Sequence, residues 1–139
     1  MEHFTKSLDL ISSYSQSLSQ LAILVLSGSI GLIFSSSSFR PKYKLLRIVY
    51  FLLVIGWLYL LFSIYNGSKV QQNILALSIY SNADVNTSFK AIQDNLQKQI
   101  DNFFYGIVFI CSWVLYYLTL WIFFNISKLN DTKVAMEVK

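Results

Sequence analysis

The sequence predicts an all-α integral membrane protein, with three transmembrane helices and a small extramembrane helical cap, and three observations carry that reading. Of 139 residues, 55% are hydrophobic and 13% charged, too little polar surface for an ordinary soluble globule. Three apolar runs, at about 18–36, 45–65 and 103–126, are long enough to cross a hydrocarbon core of roughly 30 Å. Between the first two lies Arg40-Pro41-Lys42-Tyr43-Lys44, continued by Arg47, the only dense cluster of positive charge. Such a cluster stays in the cytoplasm while the runs beside it insert, so the N-terminus faces out and the C-terminus in. Pro41 favours a turn, because the residue before a proline is pushed out of helical geometry.

The N-terminal segment places Leu8, Ile11, Tyr14 and Leu18 at helical spacing, with serines and Gln16 between them. It reads as an amphipathic helix running straight into the first span. Glu2, Lys6 and Asp9 precede that span with no positive bias, so the run is expected to stay as an anchor rather than be cleaved as a signal. The second span carries no charge after Arg47. Its far end looks punctuated: Asn66-Gly67 suits a left-handed cap, and Ser68 with Gln71 has capping-box spacing, so a new helix is expected there.

Residues 67–102 form the one sizeable extramembrane segment. A break is expected at Ser81-Asn82-Ala83-Asp84, and then Phe89, Ile92, Leu96, Ile100 and Phe103 mark a second amphipathic helix. Nothing stops that helix before the third span, so one rod of roughly 40 residues, about 60 Å, is the simplest reading. The tail from Ser127 alternates charges and is expected to be a short polar or frayed end.

Catalysis finds few residues to work with. The spans hold no ionisable group deeper than Arg47, and His3 is the only histidine, so neither a metal site nor a histidine relay can be assembled from one chain. No phosphate-binding loop or nucleophile elbow is present, and no cofactor is implied. Cys111 is alone in an apolar run and reads as a small packing residue. The net charge of +4 comes mostly from the basic cluster and reflects topology, not an extended nucleic-acid-binding surface. Proton- or sodium-coupled transport would call for a carboxylate or broken helix in mid-membrane, and neither is visible.

Assembly is what remains. Ser13, Ser17, Gln20, Leu24, Ser27, Gly31 and Ser35 recur along the first helix in steps of four and three. The stripe reads either as a packing seam against the chain's own spans or as a face that several copies arrange around a water-filled path, with Leu24 as the constriction. Trp57, Trp113, Tyr116 and Tyr117 fall near mid-span instead of at the interfaces, and with Ser27 and Ser29 at similar depth they suggest a hydrogen-bonded cluster tying the spans together. Arg40, Lys42, Lys44 and Arg47 are explained by topology and anionic lipid headgroups, with a site for an anionic regulator such as a nucleotide as the sharper alternative.

The run from Gly56 to Gly67, with the preceding Arg40-Pro41-Lys42 turn, looks like that of short bacterial membrane proteins. The build of the whole chain resembles the small membrane effectors of anti-phage defence systems, which depolarise or permeabilise the inner membrane when released from control. The resemblance implies a homo-oligomeric inner-membrane pore or channel, acting as a defence effector or toxin and held closed by its outer cap, its basic loop or a regulatory protein. A non-conducting accessory or anchoring subunit of a membrane complex is the alternative.

Overall fold

In the computed structural model the described backbone covers residues 2–35, 44–79 and 85–137, with side chains described over 6–34, 49–77, 87–120 and at 122. It forms three helices: α1 (Glu2–Ser35), α2 (Lys44–Ile79) and α3 (Val85–Glu137). Each contains a stretch long and apolar enough to cross a membrane, over Lys6–Phe34, Val49–Leu77 and Thr87–Leu120. Neighbouring helices run antiparallel, since Ser12 meets Gln71 while Ser29 meets Trp57, and Gly56 meets Gly106 while Ser63 meets Gln99.

The helices associate through seams whose period the sequence carries. On α2 the buried positions are Val49, Leu53, Gly56, Leu60, Ser63, Gly67 and Val70; on α3 they are Ile92, Gln99, Gly106, Ile110 and Trp113, with half-buried Leu96 and Phe103 completing the ladder. Every step is a four or a three. This is the 3.5-residue repeat of a coiled coil, which keeps one face of each helix on its partner along the whole contact. On α1 the ladder is Ile11, Ser15, Leu18, Ala22, Val25 and Ser29, alternating aliphatic with small side chains.

The α2–α3 seam is the most extensive, and glycines bring it close. A Cβ on Gly56 would lie 2.9 Å from Ile110 Cγ1 and 3.2 Å from the Gly106 carbonyl; one on Gly106 would lie 2.8 Å from Leu60 Cδ2. Neither site has room for a side chain. Aromatic pairs flank the crossing, with Tyr59 stacked on Phe109 at 5.6 Å and Tyr50 edge-on to Trp113 at 5.7 Å.

Two expectations are corrected. The segment 67–102 contains no separate cap helix among its described residues: α2 continues without interruption through Asn66-Gly67 to Ile79. Asn66 Nδ2 donates to the Phe62 carbonyl and Ser68 Oγ to the Tyr65 carbonyl, so both side chains bond their own helix instead of ending it. No described glycine has positive φ. The cap is therefore replaced by continuations of the three main helices. The tail is the other difference, because α3 stays helical to Glu137 and spans 53 residues, about 80 Å at the helical rise. The break expected at Ser81-Asn82-Ala83-Asp84 lies outside the described residues.

Candidate functional site

Where the three seams converge, the apolar ladder is interrupted by one polar layer. Gln99 occupies the position on α3 between Leu96 and Phe103 where an apolar side chain is expected, and it is completely buried. Burying an amide is costly unless its donors and acceptor are all met. Here they are. Its Nε2 donates to the Ser15 carbonyl at 2.8 Å and to Ser19 Oγ at 3.0 Å, while its Oε1 accepts from Ser15 Oγ at 2.7 Å. The amide can be oriented only this way, because the Ser15 carbonyl can accept but never donate. From α2, Ser63 Oγ donates to the Gln99 carbonyl at 2.9 Å, so one residue is bonded to both other helices.

Gly67 makes the layer sterically feasible. A Cβ there would stand 2.5 Å from Ser19 Oγ and 2.6 Å from Gln99 Nε2, so any larger residue displaces the glutamine or the serine. The glycine that reads in the sequence as a helix terminator is in fact a helix-contact residue.

The same device recurs one turn away. Ser12 Oγ donates to Gln71 Oε1 at 2.9 Å while Gln71 Nε2 donates to the Ser12 carbonyl at 3.0 Å. A serine on α1 thus offers its hydroxyl and its carbonyl to a glutamine amide twice, once to α2 and once to α3. Near the other end Trp57 Nε1 donates to Ser29 Oγ at 2.8 Å, and Ser29 passes its own hydroxyl proton to the Leu26 carbonyl. Apart from the bond from Ser63 to Gln99, each of these interhelical links has one end on α1.

The aromatic residues singled out above divide into two groups. Trp57 ties α1 to α2 through Ser29, as the depth of Ser29 suggested. Trp113 is buried and stacks on Tyr117 at 5.9 Å in a separate cluster with Tyr50. Tyr116 is exposed. The small-residue stripe lies elsewhere again: Ser13, Ser17, Gln20, Leu24, Ser27 and Gly31 are all exposed, and a Cβ on Gly31 or on neighbouring Gly28 meets nothing within 4 Å. Each stripe residue follows a position of the buried α1 ladder by two, which places it about 200° round the helix. The chain's own helices therefore cover the opposite face. Ser17 and Ser27 donate to the carbonyls of Ser13 and Leu24 on their own helix. Ser35 ends α1 with its side chain outside the described set. Arg40 and Lys42 lie outside the described residues, and Lys44 and Arg47 are in α2 with their side chains outside them.

Among the described residues no three of His, Cys, Asp and Glu come together. A shallow hollow at Lys90, Gln93, Asp94 and Gln97 lies on a single face of α3, beside the exposed Lys98–Asp94 pair at 2.7 Å. Such an i,i+4 surface pair contributes only about 0.3–0.5 kcal/mol. Comparison with protein-family models, curated proteins and solved structures gave no match.

Proposed function

We propose that the chain crosses the inner membrane three times, N-terminus out and C-terminus in, and that copies of it assemble into a pore lined by the outer face of α1. Support for insertion comes from the surface. Phe51, Val54, Leu58, Phe62, Val108 and Leu115 are large, apolar and exposed, and apolar faces this continuous need lipid or a partner. The observation that carries the assembly is the second seam on α1. It repeats the period of the buried seam and is richer than it in small and polar residues, with Gln20 among serines and Gly31, yet no helix of the same chain lies on it. In lipid, small and polar faces are where helices meet or where water is admitted. The resemblance in build to small defence effectors adds the role of a defence effector or toxin that depolarises the membrane, with the basic segment 40–47 inside, where anionic lipid or an anionic regulator would engage it.

Purified protein in liposomes tests the proposal by ion flux. The wild type is expected to conduct, and Ser27→Leu or Gly31→Leu to abolish conduction without loss of folding. A wild type that passes no ions rejects the pore. One observation favours a second reading, a non-conducting accessory subunit: Ser17 and Ser27 already bond their own backbone, so the stripe can also pack dry against a partner helix.

A further inference from the structure

We infer that α1 is a detachable element, held on a permanent α2–α3 hairpin by the glutamine–serine clamps and able to leave it as a unit. The inference stands whether or not the protein conducts. It begins from the different chemistry of the two contacts. Between α2 and α3 the seam is made of large side chains, stacked rings and a glycine crossing too tight for a Cβ. Dispersion between many atoms in register holds such a contact in lipid or in water. Towards the hairpin α1 presents Ile11, Ser15, Leu18, Ala22, Val25 and Ser29, a seam with no aromatic residue in it, and its polar links are hydrogen bonds made by Ser12, Ser15, Ser19 and Ser29.

Those bonds are exchangeable. Ser19 already donates to the Ser15 carbonyl and Ser29 to the Leu26 carbonyl, so both keep a partner when α1 leaves, and Ser12 and Ser15 have the same recourse one turn back. Lys98 directly before Gln99 and Asp101 two residues after it are charged and exposed, so water reaches that level and can solvate a freed amide. Surface uncovered further along α1 is apolar and passes to lipid, which solvates it as well as a neighbouring helix does. Undocking therefore leaves the serines partnered and the Gln99 amide solvated, and its polar cost falls on Trp57 Nε1, which loses Ser29. Parting α2 from α3 would instead open the most extensive seam among the described residues.

Pulsed electron-spin distances on the full chain in lipid nanodiscs test this. Native Cys111, exposed on α3, serves as one label site. A second label goes at Leu21→Cys on α1 or Leu61→Cys on α2, both exposed, with each sample diluted in unlabelled Cys111→Ser chain. Gln99→Leu removes the amide, and Gly67→Ala drives a Cβ into the same layer. Both variants are expected to lengthen and broaden the α1–α3 distribution while the α2–α3 distribution keeps its wild-type position and width. An α1–α3 distribution unmoved in either variant would show that apolar packing alone seats α1. An α2–α3 distribution that broadens alongside it would make the layer a support of the whole bundle. Either result overturns the inference.

Discussion

Gln99 is where a single side chain decides most. Its amide is fully buried and fully satisfied, and removing one side of a satisfied buried network leaves the other side desolvated and unpaired. Gln99→Leu keeps the volume but removes three interhelical hydrogen bonds, and is expected to lower unfolding stability by about 1–3 kcal/mol. Equilibrium denaturation in mixed detergent micelles measures it; no loss would mean that water already substitutes for the amide. The sequence held a signal for this residue. Ile92, Leu96, Gln99, Phe103 and Gly106 step by four and three, so the glutamine stands at a core position of an apolar stripe, the placement by which coiled coils fix register. Reading the stripe instead through Ile100 took a neighbouring face and hid it. Gly67 was hidden for another reason: in isolation Asn-Gly favours a cap, and only the approach of two other helices explains why the helix goes on.

At the scale of elements, the helical class, the long third helix and the continuity of the first and third apolar runs with the amphipathic segments before them were all legible, because a 3.6-residue pattern sustained over tens of residues has few competing explanations. The missing cap helix was not legible, since its evidence was local turn chemistry that packing overrode. The glycines sort the helix contacts into kinds. Gly106→Leu is expected to force α2 and α3 apart at a cost of about 1–3 kcal/mol or more, as overpacking does, and to lower the thermal midpoint of the detergent-solubilised protein. Gly28→Ala on the open face of α1 meets no atom within 4 Å and is expected to raise that midpoint slightly, since alanine is favoured over glycine in a helix by about 1 kcal/mol. Equal effects from the two substitutions would contradict the assignment of one contact as closed and the other as open.

For the whole molecule, the three-helix seam uses one face of each helix, and what is left outside differs from helix to helix. The outer faces of α2 and α3 are large and apolar, as a lipid-facing surface is. The outer face of α1 alone combines serines, glycines and Gln20, in a repeat with the period of the inner seam. The stripe was visible in the sequence, but which way it points was not, because serines recur at the same period on both faces of α1 and only tertiary packing chooses which one is covered. An open helix-contact face in lipid is the reason to expect more than one copy. The sharpest test is the native mass of the 16.0-kDa chain ejected from lipid nanodiscs, compared between wild type and Gly31→Leu. The account predicts a defined multiple of the chain mass for the wild type and a single chain for the variant. A wild type that leaves the membrane as one chain, or a variant that keeps the multiple, would contradict it.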